Sequence, residues 1–183
     1  MTNQTNNINN INHTNHINHI NQTNHINQTN HTNHTNHINH INKTAIITGA
    51  SRGIGAAIAK KLASCGYNLS LCCRNSSDRL KALADELHCA YGIEVLCFTG
   101  NVGDFFFAKD MVTNTISHFG HIDVLINNAG ISHIGLLSDM TPEEWNNIVA
   151  INLTGVFNFT KLVIPYMVAD KCGRILQISA VWG

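Results

Sequence analysis

Residues 43–73 constrain the fold of this chain more than any other segment. Lys43-Thr-Ala-Ile-Ile-Thr48 is a short β-branched run, the composition of a strand. Seven residues follow at once, Gly49-Ala50-Ser51-Arg52-Gly53-Ile54-Gly55. Ala56 to Ser64 then carries apolar Ala56, Ile58, Ala59, Leu62 and Ala63 in a helical pattern, and Gly66 is placed to close that helix at C′. Asn68 to Cys73 is a second apolar strand. The glycines therefore lie between a strand and a helix inside one βαβ unit.

That context gives the glycines a physical job. Gly49 permits a tight turn out of the strand. Gly53 and Gly55 have no Cβ, so backbone can approach a pyrophosphate and the helix can pack close to the sheet. The new helix points its unpaired N–H groups and the positive end of its dipole at the phosphates. The segment thus predicts a dinucleotide site. Three residues separate the first two glycines, whereas the common dinucleotide fingerprint places one residue between them.

The alternation continues downstream. Strands are predicted at 43–48, 68–73, 94–99, 122–127 and 174–180, with helices at 53–64, 76–90, 104–119 and 142–169. Thr141-Pro142-Glu143-Glu144 is a helix start, with Thr141 as N-cap, Pro142 at N1 and Glu144 at N3. Strands alternating with helices imply an α/β fold: a doubly wound parallel sheet of Rossmann type, five-stranded, with helices on both faces.

The first 42 residues are a different material. Asn, His, Ile, Thr and Gln make up almost all of them, and from Ile11 a period of three runs through Asn-His-Ile, Asn-His-Thr and Asn-Gln-Thr. That period fits neither a helix face nor a strand face. Such a segment cannot bury enough apolar surface to offset its ordering entropy, so 1–42 is read as a disordered tail and 43–183 as the domain. Three readings of the tail stand side by side: a passive extension, metal chelation through His13, His16, His19, His25, His31, His34, His37 and His40, and self-association through stacked Asn ladders. No metal site is assigned.

Charge excludes little but is informative. Eleven Lys+Arg balance eleven Asp+Glu, which gives no reason to expect nucleic acid or an acidic membrane surface as partner. Six cysteines at 65, 72, 73, 89, 97 and 172 form no CxxC pair, and most lie in apolar runs, so buried free thiols in a reducing cytoplasm are expected. The start lacks the basic and apolar regions of a signal peptide, and no apolar run approaches the ~18 residues of a membrane span.

Four motifs in order now point to one family. Thr48-Gly49-x-x-x-Gly53-Ile54-Gly55, Asn127-Asn128-Ala129-Gly130, Ile151-Asn152-Leu153-Thr154-Gly155 and Gly173-Arg-Ile-Leu-Gln-Ile-Ser179 resemble the signatures of the classical short-chain dehydrogenases/reductases. The flavour is that of the 3-oxoacyl-[acyl-carrier-protein] reductases of fatty acid metabolism, and the likeness runs from Lys43 to Gly183. The resemblance implies strand order 3-2-1-4-5 and hydride transfer between a nicotinamide dinucleotide and a ketone or alcohol, with a 3-oxoacyl thioester as the type substrate. It also implies a homo-oligomer through the 142–169 helix.

The cofactor is expected to be NADP(H) rather than NAD(H). The second strand ends Cys72-Cys73-Arg74, without the carboxylate that holds a ribose 2′-hydroxyl, and Arg52 and Arg74 can clamp a 2′-phosphate. The expected cofactor-binding residues are Gly49, Ser51, Arg52, Gly53, Ile54, Gly55, Arg74, Asn101, Val102, Asn128, Ala129 and Gly130. The family usually has Asp where Asn101 stands, with its side chain on the adenine edge; Asn keeps a carbonyl acceptor and loses the charge.

The resemblance also implies a Ser-Tyr-Lys-Asn tetrad, in which Tyr moves the proton, Lys lowers its pKa, Ser polarises the carbonyl and Asn orders a relay water. Asn152 matches the Asn. Counting back from Gly183, Ala180 falls where the Ser belongs, and Ser179 fills the role only if the strand register differs. A Tyr-x-x-x-Lys motif after that strand is absent from these 183 residues, and Tyr166 and Lys161 stand upstream in the wrong order. The expectation is a C-terminally incomplete domain with little or no activity, or a pseudoenzyme serving as a cofactor-binding or oligomerisation module.

Overall fold

The computed structural model describes residues 42–179. The tail readings and Ala180 lie outside the described residues. Those described fall within one unit, His40–Gly183. The chain runs β1 (Thr44–Ile47), α1 (Gly53–Ser64), β2 (Asn68–Cys73), α2 (Ser77–Tyr91), β3 (Val95–Thr99), α3 (Phe105–Phe119), β4 (Val124–Asn127), α4 (Pro142–Val149), α5 (Gly155–Ala169) and β5 (Arg174–Gln177). A 3₁₀ turn spans Leu137–Asp139, and a π-helical turn spans Ala150–Thr154 between α4 and α5.

The five strands form one sheet in the order β3-β2-β1-β4-β5, and every pair is parallel. The parallel doubly wound sheet is what the alternation predicted, and the order is the one the family resemblance implied. β1, β2 and β4 are buried at every position, as central parallel strands covered on both faces must be. Alternation splits their side chains between two cores. Ile47, Leu69, Leu71 and Ile126 pack with Ala59 and Ala63 of α1 and Leu80, Leu83 and Leu87 of α2. Ile46, Cys72 and Leu125 pack on the other face with Met111 and Val112 of α3 and Phe159, Val163 and Met167 of α5. Burying one such side chain contributes about 1.5–3 kcal/mol, so these two layers hold the sheet.

Several helix ends follow their sequence signals. Gly92 and Gly120 close α2 and α3 in the left-handed conformation. Asp104 caps α3, its Oδ1 accepting from Phe106 N at 2.8 Å. Thr141 and Glu144 form a reciprocal capping box at α4.

Three expectations need correction. The 142–169 helix is not uniform, because the π-helical turn divides it. That same stretch is long and apolar enough, by length and composition alone, to cross a membrane, where no apolar run was expected to approach such a span. Asn158, Thr160 and Lys161 interrupt the run without lowering the average much, and the inward side of α5 is committed to the sheet core through Phe159, Val163 and Met167. The cysteines are all free, but only Cys72 and Cys73 are buried; Cys65, Cys89, Cys97 and Cys172 are exposed. Cys65 and Cys172 sit at helix ends and Cys89 on an outward helix face, where an apolar neighbourhood in sequence is not burial in space.

Candidate functional site

A cleft of about 480 Å³ opens at the carboxyl ends of the strands. It lies where strand order reverses between β1 and β4, the place at which open parallel sheets bind ligands. Gly49, Ser51, Arg52, Gly53, Ile54, Arg74, Asn101, Val102, Asn128, Ala129 and Gly130 all line it. Of the expected cofactor-binding residues only Gly55 does not, and its place explains why. A Cβ there would sit 2.5 Å from Gly49 O and 2.6 Å from Asn128 Nδ2, so Gly55 lets α1 approach the loop from behind. Gly49 has φ +66°, and a Cβ on it would meet Ala129 Cα at 2.9 Å. The loop turns there because no side chain obstructs it.

Thr48 ties the two halves of the cleft together, and sequence reasoning did not single out its hydroxyl. Its Oγ1 accepts from the N–H groups of Asn128 and Ala129, each at 3.0 Å. The Asn128 amide reciprocates, donating to Thr48 O at 3.0 Å and Gly49 O at 3.1 Å. The strand end, the glycine loop and the β4 loop are thereby one hydrogen-bonded unit. Asn128 thus shapes the wall with its Nδ2, whatever its Oδ1 does toward a ligand.

At the β2 end, Cys73, Arg74, Asn75 and Ser76 line the cleft. Arg74 is exposed and donates from Nη1 to Asn147 Oδ1 at 3.4 Å. Arg52 is exposed across the same cleft, at the N-cap of α1. Among the described residues no carboxylate lines the cleft, so the charge this lining carries is positive. Behind it, burial pushes the Cys72 thiol up to about 12, partly opposed by a hydrogen bond from the Gly49 backbone. Cys72 therefore stays a neutral thiol and leaves the electrostatics to the arginines.

At the β4 end, Ile131 lines the cleft beside Gly130, and Ile151 closes the floor. Asn152 sits in the π-helical turn and holds Ile131 at both backbone groups: Oδ1 accepts from Ile131 N at 2.9 Å and Nδ2 donates to Ile131 O at 2.8 Å. The side chain expected to order a relay water is thus occupied in fixing the loop after Gly130. Asn158 fixes the far wall, its Nδ2 donating to Val102 O and Gly103 O at 3.2 Å each. Ser179 is exposed just past β5, beyond Ile178, whose N–H donates to Asn127 O. Tyr166 and Lys161 lie outside the cleft lining, with Lys161 Nζ over the rings of Phe157 and Phe105 at 5.4 and 5.9 Å. Among the described residues no cluster of His, Cys, Asp and Glu is arranged to hold a metal ion.

The fold recurs in known proteins. The chain is 40% identical over 141 residues to a 3-oxoacyl-[acyl-carrier-protein] reductase FabG of Staphylococcus epidermidis, covering 77% of this chain and 57% of that protein. It is 38% identical over the same length to a D-beta-hydroxybutyrate dehydrogenase of Cupriavidus necator, covering 54% of it. The chain thus spans little more than half the length of these relatives. A metagenomic short-chain oxidoreductase solved in complex with NADP superposes with a TM-score of 0.72 at 36% identity, covering 76% of this chain and 62% of that one. An alcohol dehydrogenase of the archaeon Thermococcus sibiricus, complexed with 5-hydroxy-NADP, gives 0.70 at 36% identity, covering 74% and 57%. The sequence profile described as short chain dehydrogenase matches residues 43–183, and the chain belongs to that family.

Proposed function

We propose that this chain is the NADP(H)-holding part of an oxidoreductase that exchanges a hydride between a ketone and its alcohol, of the 3-oxoacyl thioester reductase kind. One observation carries the reading: the glycine loop, two exposed arginines and the Asn128–Gly130 loop line a single cleft at the sheet's switch point. The loop's N–H groups and the α1 dipole suit a pyrophosphate. Arg52 and Arg74 suit a further phosphate on the ribose, and Cys73 offers it no repulsion. Gly130 and Ile131, pinned by Asn152, border the end left for the nicotinamide and substrate. Similarity to a 3-oxoacyl-[acyl-carrier-protein] reductase and to a D-beta-hydroxybutyrate dehydrogenase supports the carbonyl chemistry and the substrate class.

The fit of the residues to the cofactor rests on the cradle itself. Gly55 admits no Cβ, Gly49 takes a left-handed turn, and among the described residues no carboxylate lines the cleft. When bound, a nicotinamide dinucleotide supplies the hydride acceptor or donor. The chain's own residues bind its phosphates, shield one wall and fix the loop beside the reacting end. Reduction of a carbonyl builds charge on oxygen that a proton donor must meet. Among the described residues no Tyr, Lys or His lines the cleft, and the Ser179 hydroxyl stands exposed beyond it. The segment 1–183 is accordingly assigned binding with little or no turnover.

A second reading, a cofactor-binding module that assembles with copies of itself, is favoured by α5. Phe157 and Val168 are 56% and 69% exposed there, and Leu153 in the preceding turn is exposed as well. Contiguous exposed apolar surface of this kind marks interaction faces. NADPH fluorescence and acetoacetyl-thioester reduction, measured on one preparation, test the binding and the low turnover that both readings share. Binding without turnover supports the reading; brisk turnover refutes the inactivity, and no binding refutes the cofactor.

A further inference from the structure

Asn147 stands on α4, outside the cleft lining, yet it is the residue that Arg74 holds on to. Arg74 Nη1 donates to Asn147 Oδ1 at 3.4 Å, across 73 residues of sequence. Two features bring α4 within reach of the β2 end. A Cβ on Gly103, beyond the β3 end, would meet Ala150 O at 2.8 Å and Ala150 Cβ at 3.2 Å, so the missing side chain lets the end of α4 come close. Asn147 precedes Ala150 by about one helical turn and therefore shares its face.

The bond engages little of the arginine. A guanidinium carries donors on three nitrogens in a planar fork. Only Nη1 is engaged, and Nε and Nη2 have no partner among the described residues. The acceptor is also uncharged. A carboxylate in its place would pair with the guanidinium and offset the charge that a phosphate needs, whereas an amide oxygen orients the side chain and leaves the charge intact. Arg52, at the N-cap of α1, has no side-chain partner among the described residues. One arginine of the pair is therefore held before a ligand arrives and the other is not.

A dinucleotide in such a sheet brings its ribose 2′ position to the end of the second strand, where an Arg accommodates a 2′-phosphate. A long side chain gives up rotamer freedom when it is fixed on that phosphate, and one already oriented gives up less. We propose that Asn147 is a positioning residue for the phosphorylated dinucleotide: from α4 it orients Arg74 through a neutral acceptor, so that the guanidinium meets a ribose 2′-phosphate pre-placed and fully charged. The inference rests on the cofactor reading above. It makes α4 a contributor to the choice between NADPH and NADH without touching either.

The test titrates NADPH and NADH calorimetrically into the unmodified chain, Asn147→Ala, Asn147→Asp, Arg74→Ala and the double variant Arg74→Ala/Asn147→Ala. Ala forms helix better than Asn, so α4 is not weakened by the first change. Asn147→Ala is expected to lower NADPH affinity about threefold, the scale of one exposed hydrogen bond, and to leave NADH affinity unchanged. Asn147→Asp lowers NADPH affinity about tenfold, and added salt shrinks that deficit because the new charge is exposed. With Arg74 already replaced, Asn147→Ala has no further effect, as expected of a residue that acts through the arginine. Equal losses for both dinucleotides, or a loss that persists without Arg74, overturn the inference. A folded, unmodified chain that binds neither dinucleotide removes the cofactor reading and this inference with it, a different result from binding that Asn147 does not influence.

Discussion

Asn152 holds Ile131 by both of its backbone groups, at 2.9 and 2.8 Å, across 21 residues of sequence. One side chain in the π-helical turn thereby sets the path of the loop that leaves Gly130. An amide is the one side-chain group with an acceptor and a donor at the spacing of a peptide's N–H and C=O, which is why neither Asp nor Leu replaces it.

Asn152→Ala removes both bonds and leaves the Ile131 groups to solvent. Because the pair is exposed, the expected loss of stability is about 1–2 kcal/mol, with a several-fold loss of NADPH affinity through the displaced loop. Asn152→Asp keeps the acceptor alone and is expected to fall between. Urea unfolding and fluorescence titration of the three proteins check the order; an Ala variant that matches the parent in both removes the positioning role.

Gly55 and Gly53 separate two uses of glycine. A Cβ on Gly55 meets Gly49 O at 2.5 Å and Asn128 Nδ2 at 2.6 Å, whereas one on Gly53 meets nothing within 4 Å and suffers only from φ +58°. Gly55→Ala is expected to abolish measurable NADPH binding and lower the melting temperature sharply. Gly53→Ala costs about 1–2 kcal/mol of backbone strain and leaves a bindable cleft. Equal effects from the two substitutions contradict the close-packing account.

Arg52→Ala and Arg74→Ala are expected to weaken NADPH binding at least about tenfold each while barely changing NADH, since a charge-assisted bond to phosphate is worth about 1.5–3 kcal/mol and NADH lacks the 2′-phosphate. The NADPH advantage shrinks further as salt rises. Parallel losses for both dinucleotides place the arginines on the pyrophosphate instead.

The parallel winding and the glycine loop were legible in the sequence because each depends on local pattern, whereas the strand order and the Asn101 and Asn128–Gly130 parts of the lining were implied by the family resemblance. Strand–helix alternation fixes the winding, and only glycine tolerates the positions at 49 and 55. Asn128 and Asn152 were legible as site residues but not in what they do, since their partners, Thr48 and Ile131, lie 80 and 21 residues away. The hub at Thr48 left no sequence signal beyond its place before Gly49. Nor did the exposure of Cys97, whose strand is outermost in the sheet and whose thiol pKa is nevertheless raised, first by partial burial and then by Cys73 and Asp85. Burial at the edge of a sheet depends on what covers it, which periodicity does not encode.

Cys72 makes stability depend on alkaline pH. Its folded pKa of about 12 stands above an ordinary value of 9.0 because burial disfavours the thiolate. Below pH 9 the thiol is neutral whether folded or unfolded, and its contribution is fully present. Between 9 and 12 the unfolded chain ionises and the folded one does not, so stability falls by about 1.4 kcal/mol per pH unit and the contribution is lost by the folded pKa. Cys72→Val is expected to flatten that part of the urea-derived stability profile relative to the parent. A parent profile with no extra alkaline loss contradicts the burial effect.

Glu144 acts in the opposite direction. The Thr141 backbone N–H holds its carboxyl below the usual value, with His133 assisting, so its contribution at the α4 start is present above the ordinary carboxylate range and lost as pH falls through the depressed value. Thr141→Ala breaks the capping box and is expected to cost about 1 kcal/mol, read as a lowered urea midpoint; an unchanged midpoint counts against the box.

The most direct measurement is a calorimetric titration of the folded chain with NADPH, its fold verified beforehand by circular dichroism. Saturable one-to-one binding that Gly55→Ala abolishes is the predicted result. A native-like spectrum with no heat of binding for NADPH or NADH contradicts the account.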